Sequence, residues 1–313
     1  MLGQEITELL GIKYPVIQGA MAWIANAELA AAVSNAGGLG IIAAGNTPPE
    51  LLEKELIKIR ELTDKPYGLN VMLLSPTAPA VVELAAKYRV KVLTTGAGSP
   101  GKVIERLKPL GTIIMPVVAS TAVAKRAVRQ GAQAIIAEGM EAGGHIGELT
   151  TMVITPLVAQ AVKVPVICAG GIVDGRGMAA AFALGAKGVQ VGTRFVCSKE
   201  CTVHPNYKNL IVNARERCTA VTGTPTGHPV RCIENKLTKE FLKLEYDHAP
   251  VEEMAKLGTG KLRAAVIDGD VEMGSVMSGQ AAALIGDILP CKEIIENMVF
   301  GAEKILKELS AKA

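Results

Sequence analysis

Residues 164–193 read VPVICAGGIVDGRGMAAAFALGAKGVQVGT. Two short apolar runs, 164–169 and 188–193, flank a stretch at 175–184 with helical spacing. Both runs have strand length and are rich in β-branched residues. They are apolar without alternation, which suits parallel strands buried on both faces. Gly185 stands where the helical stretch ends and the second run begins. The segment therefore reads as one strand–helix–strand unit.

Working outward, the same beat recurs. Six more apolar runs lie at 15–19, 39–43, 68–73, 90–95, 112–117 and 134–138. Helical patterns fall between them at 26–36, 48–62, 120–129 and 151–162, the first with Leu29, Ala30, Val33 and Ala36 on one face. Eight strands alternating with helices predict an α/β fold, a closed (β/α)8 TIM barrel. An open doubly wound sheet is the rival. The count of eight, and the lack of G-x-G-x-x-G after the first strand, favour the barrel. From Lys199 the beat stops. Residues 199–263 carry eleven basic and eight acidic residues, a surplus of three that equals the net charge of the whole chain. This predicts a helical excursion after strand eight, followed by C-terminal helices over 275–309. The expected units are a barrel at 1–198, a helical cap at 199–263, and 264–313 packing back on the barrel.

Composition narrows the function. The 313 residues are 49% hydrophobic and 20% charged, a globular balance in a chain long enough to bury a large core. A net charge of +3 is too weak for a polyanion-binding footprint, and 3% aromatics gives no base-stacking platform, so no nucleic-acid partner is expected. No apolar run reaches membrane-spanning length. The N-terminal stretch carries Glu5 and Glu8 and no apolar core, so no secretory leader is expected. Six cysteines without a C-x-x-C pair suit free thiols in a reducing cytoplasm. Cys197, Cys201 and His204 read C-x3-C-x2-H, but a structural zinc site takes four ligands and no fourth is evident. A buried thiol pair and a capping histidine are expected instead, with no metal.

Barrel chemistry sits at the C-terminal strand ends. Strands seven and eight end in Ala169-Gly170-Gly171 and Gly192-Thr193. Glycines there either make tight turns or let backbone N–H groups wrap a phosphate. Their presence on both of the last two strands favours the phosphate cup. Asn46 and Asn70 are amides at strand ends, suited to reading the edge of a flat heterocycle or to capping turns. His145 follows Gly143-Gly144 and is the only histidine of the strand-end set, able to exchange a proton near neutral pH. His228 and His248 read as loop residues, Cys168 as a small core residue, and Trp23 either lines the mouth or packs.

Longer phrases carry a resemblance. YPVIQGAMAW at 14–23, NAGGLGII at 35–42, VLTTGAGSP at 92–100, AEGMEAGGHIGELTTM at 137–152 and VPVICAGGIVDGRG at 164–177 resemble the FabK-type flavin-dependent enoyl-acyl-carrier-protein reductases, within the nitronate monooxygenase superfamily. The late phrases HPNYKNLI at 204–211, TGHPVR at 226–231 and GSVMSGQ at 274–280 look like the reductase branch. The resemblance implies an FMN-binding oxidoreductase. The flavin phosphate would lie at Gly170, Gly171, Gly192 and Thr193. The ring would lie by Gly19, Ala20, Met21, Asn46 and Asn70, with Glu138 nearby and Gln190 in the family's Q-x-G-T phrase. Ala20 stands where close relatives often have Gly. NADH or NADPH would be the hydride donor, a trans-2-enoyl chain on acyl carrier protein the substrate, and His145 the proton donor or thioester partner. Relatives are dimers, so a homodimer is expected; some respond to a monovalent cation, for which no site is legible. The nearest alternative is a nitronate monooxygenase, which uses FMN and O2 with the same histidine as base. An IMP dehydrogenase-like barrel would need a cysteine in the loop after strand six, and none occurs there. A non-enzymatic flavin sensor is a third reading.

Overall fold

The computed structural model describes residues 2–45 and 47–312. The candidate Asn46 thus lies outside the described residues. Eight parallel strands form one sheet: β1 Val16–Gln18, β2 Gly40–Ala43, β3 Tyr67–Met72, β4 Val92–Gly96, β5 Ile113–Val118, β6 Ile135–Glu138, β8 Val166–Ala169 and β9 Gly188–Val191. Their order is β1-β9-β8-β6-β5-β4-β3-β2. A single parallel bridge, Ile17 to Leu39, joins the two edges into a nearly closed TIM-type barrel. That seam is short, and the buried Gln18 side chain extends it. Its Nε2 donates to the Ile41 carbonyl at 3.2 Å, and its Oε1 accepts from Ile41 N at 3.1 Å. All eight expected strands are present.

Helices alternate with the strands as the apolar spacing requires. Asn26 caps Ala27–Asn35 by accepting from Leu29 N, Ser120 caps Thr121–Gln130, and Asp174 caps Gly175–Ala183. Inside the barrel, Ile17, Ile41, Val92, Met115, Ile136 and Ile167 are fully buried. Ile6 and Leu10 of the N-terminal helix Gln4–Leu10 pack on this cluster and plug the N-terminal end. The C-terminal helix Cys291–Ser310 lies against Gly175–Ala183. There a Cβ on Gly175 would come within 2.6 Å of the backbone at Gly301, so only glycine allows that approach.

Two expectations are corrected. The 199–263 excursion is not wholly helical. Besides helices Pro205–Val212, Lys236–Tyr246 and Val251–Gly258, it holds an antiparallel hairpin, β10 Thr219–Thr222 and β11 Val230–Ile233. These four-residue strands, β-branched but set among charges, are too short to stand out by periodicity. β11 also pairs with β7, Gly144–His145, in the loop after β6. The expected helical tail over 275–309 is likewise irregular until Pro290; Gly279 and Gly286 punctuate the segment, which holds only the short 3-10 turn Gln280–Leu284. His204 caps Pro205–Val212, its Nδ1 accepting from Asn206 N, and Cys197 and Cys201 are buried free thiols. No helix among the described residues is long and apolar enough to cross a membrane.

Candidate active site

The C-terminal strand ends set three of the candidates, Glu138, Gln190 and Asn70, into two rows. In register, Glu138, Ala169 and Gln190 lie side by side on β6, β8 and β9. Gly19, just past β1, abuts this row: a Cβ there would sit 3.2 Å from Gln190 Cγ. Ala43, Asn70 and Thr94 form the facing row on β2, β3 and β4. Asn70 Nδ2 donates to Thr94 Oγ1 at 3.0 Å, and its amide carbonyl has no partner among the described residues. Ala20 has no positive φ, so its methyl group strains nothing. Met21 Sδ lies 3.6 Å from where a Gly192 Cβ would stand.

The glycine cup has a specific local cause. Gly170 and Gly171 both adopt left-handed backbone, at φ 99° and 72°. A Cβ on Gly170 would meet the Gly139 carbonyl at 2.8 Å and Thr151 Oγ1 at 2.9 Å. Glu141 holds this region together. Its carboxylate accepts from Thr151 N at 2.9 Å and Thr151 Oγ1 at 2.9 Å, at the start of helix Thr151–Ala161. Thr151 Oγ1 also lies 3.1 Å from the Gly170 carbonyl. Gly192 and Thr193 open the short helix Thr193–Val196, and Thr193 Oγ1 accepts from Gly279 N at 3.0 Å. Among the described residues, no protein acceptor takes the amides of Gly171, Gly192 or Thr193. Gly171 is exposed and Gly192 and Thr193 are half-buried, so their amides are reachable from solvent and suit a phosphate-bearing group. Gln190 as a residue is nine-tenths buried, and its amide makes no hydrogen bond among the described residues, which leaves it available to a ligand.

Glu138 is the most perturbed acid of the mouth. Protein surrounds it except toward the opening, no donor among the described residues reaches it, and burial pushes its carboxyl from 4.5 up to about 7. A carboxyl that binds its proton more tightly folded than unfolded stabilises the fold below about pH 4.5. That contribution is lost as pH rises toward about 7. The urea midpoint of the flavin-free protein should therefore decline over this window through Glu138. Glu138→Gln should flatten the decline, and an unchanged slope in that variant would refute the assignment.

His145 stands apart from the rows, on β7. Its partner β11 places Val230 opposite it, with Ile146 N donating to the Pro229 carbonyl at 3.1 Å. Burial, and secondarily the neighbouring His228, lower its pKa from the ordinary value. Arg231 is buried across from Gly144, donating from Nε to the Met140 carbonyl at 3.0 Å and from Nη1 to Thr219 Oγ1 at 3.1 Å. Sequence reasoning missed Glu141, Thr151 and Arg231, and read His228 only as a loop residue. Glu141 and Thr151 sit inside a phrase already singled out, but nothing local marks a carboxylate that caps a helix ten residues away. Trp23 also stands at the end of β1, in left-handed backbone at φ 66° and 41% exposed, with the Arg263 guanidinium 6.0 Å from its ring. A surface cavity of about 530 Å³ lined by Leu2, Glu5, Phe182 and Lys187 contains none of the candidates.

Fold and mouth together define a (β/α)8 barrel with its candidate site at the C-terminal strand ends. The sequence profile of the nitronate monooxygenase family matches residues 4–81 and 78–301, and the chain belongs to that family, whose members depend on FMN. FabK from Thermotoga maritima is 48% identical, superposes with a TM-score of 0.96, and is covered over 98% of both chains. A (3aS,4S,5R,7aS)-5-hydroxy-7a-methyl-1-oxo-octahydro-1H-indene-4-carboxyl-CoA dehydrogenase of Mycobacterium tuberculosis is 33% identical over 99% of each chain. A probable nitronate monooxygenase of Staphylococcus saprophyticus is 34% identical over 97% of this chain and 99% of its own.

Proposed function

We propose that this protein is an FMN-dependent enoyl-acyl-carrier-protein reductase, acting in the last step of fatty-acid chain elongation with NADH or NADPH as donor. The observation that carries this reading is the 48% identity to FabK over 98% of both chains, against 34% to the probable nitronate monooxygenase. Bound FMN would supply hydride transfer from the nicotinamide to the β-carbon of a trans-2-enoyl thioester. The amides of Gly171, Gly192 and Thr193 would hold its phosphate, with Gly170 shaping the cup. Gly19, Ala20 and Met21 would flank the ring, and Gln190, Asn70 and Glu138 would offer it polar groups. His145 would hold the proton destined for the α-carbon. Residues 199–263 would cover the mouth, shielding the reacting carbons from water and docking the carrier protein.

Nitronate oxidation is the second reading, favoured by the family profile and by the 34%-identical relative. An anaerobic assay separates the two. Flavin-loaded protein is mixed with NADH or NADPH and a trans-2-enoyl thioester, and nicotinamide oxidation is followed together with loss of the enoyl conjugation. One-to-one consumption is the expected result. Nicotinamide oxidation without enoyl loss, or no flavin reduction, would overturn the reductase, and oxygen uptake with a nitronate would then support the second reading.

A further inference from the structure

The hairpin β10–β11 brings a second histidine to the first. His145 and His228 have ring centroids 6.4 Å apart and planes at 83°. Both residues keep part of their surface open to solvent while protein covers the rest of His145, and neither ring makes a hydrogen bond among the described residues. The tip that carries His228 is firmly built. Gly223 and Gly227, at φ 81° and 76°, flank the single turn Thr224–Thr226. Thr226 Oγ1 donates to the Gly223 carbonyl at 2.6 Å and accepts from His228 N at 3.2 Å. Gly223 N donates to Glu245 Oε1 at 2.5 Å, anchoring the tip to helix Lys236–Tyr246. The β7–β11 ladder then fixes His145 against this tip.

We propose that His145 and His228 act as a coupled pair, with His228 a positioning residue that sets how readily His145 gives up its proton. The consequence for turnover rests on the reading of His145 as the proton donor; the coupling itself does not. A positive charge on the His228 ring would repel one on His145 at this separation. Other charged groups nearby have separate partners or directions. Glu141 is bound to Thr151, Glu245 is held by Gly223 N, and Arg231 extends to Met140 and Thr219 on the Gly144 side of the ladder. Glu148 lies in the exposed loop beyond β7. The segment over Gly143 and Gly144, Met277 to Gly279, carries no charge. A partner that discourages protonation makes His145 the stronger acid, which suits donation to a carbon.

The test uses flavin-loaded, full-length protein with isotope-labelled histidine rings. The His145 titration is followed by NMR in wild type, His228→Gln and His228→Lys, and the anaerobic enoyl-reduction rate is measured against pH. Gln removes the like charge, so His145 should titrate at higher pH. The rate profile should move up with it around the His145 midpoint, by no more than about threefold. Lys keeps a cation, so His145 should stay at or below its wild-type titration. A His145 titration identical in the Gln and Lys variants would overturn the proposal. A shifted titration with an unmoved rate profile would keep the pair and remove the donor role from His145.

Discussion

Gly40→Ala is expected to destabilise the protein by about 3 kcal/mol or more, the upper range for forced overpacking. Gly40 opens β2, and helix Ala27–Asn35 lies directly on it. An added Cβ would sit 1.9 Å from the Ala30 carbonyl oxygen and 2.4 Å from its carbon. Both atoms belong to helix backbone, so no side-chain rotation relieves the clash. The helix would have to lift, losing the buried contacts of Leu29, Ala30 and Val33, each fully enclosed. It would also pull Ser34 Oγ from Gly40 N, which donates to it at 3.1 Å. Urea denaturation followed by circular dichroism checks this. A wild-type midpoint in the variant would mean that helix and strand do not approach this closely.

The second large effect falls on chemistry. His145→Ala is expected to cut enoyl-thioester reduction by about 10²- to 10⁴-fold, the usual worth of a positioned acid. Flavin content should be unchanged, because His145 sits on β7 and the glycine cup is built by other elements: Glu141, Thr151 and the ends of β8 and β9. Nicotinamide-driven flavin reduction should likewise persist, since in the proposed reaction the proton is needed only in the enoyl half. Stopped-flow measurement of the two half-reactions separates these effects. Equal loss in both halves would indicate damage to the site as a whole, and no loss in either would remove the proposed role.

The glycine cup shows how far residue patterns reach. Ala169-Gly170-Gly171 and Gly192-Thr193 stand at strand ends in the sequence, and their place on neighbouring strands follows from the βα beat alone. The pattern leaves open whether those glycines make turns or leave amides unspent. That distinction depends on Thr151 and Glu141 filling the space behind Gly170 and on the amides of Gly171 and Gly192 finding no acceptor among the described residues. Gln18 teaches a similar lesson. It reads as one polar residue ending an apolar run, yet its amide spans the β1–β2 seam and substitutes for ladder bonds that the short strands do not make.

The barrel is legible in the chain because its information is local. Each strand is a Val- and Ile-rich run and each helix an apolar stripe; their alternation calls for a parallel sheet, and the count of eight favours closing it into a barrel. The excursion is different. Thr219–Thr222 and Val230–Ile233 become strands because they pair with each other, and Val230–Ile233 also with Gly144–His145, nearly ninety residues earlier. Register across that distance is set by backbone hydrogen bonds formed only once the chain has folded, so no window of residues announces it. The same pairing makes His228, an unremarkable loop histidine in the sequence, the neighbour of His145. Periodicity thus determined the scaffold and the strand ends where chemistry gathers, while long-range pairing decided which side chains meet there.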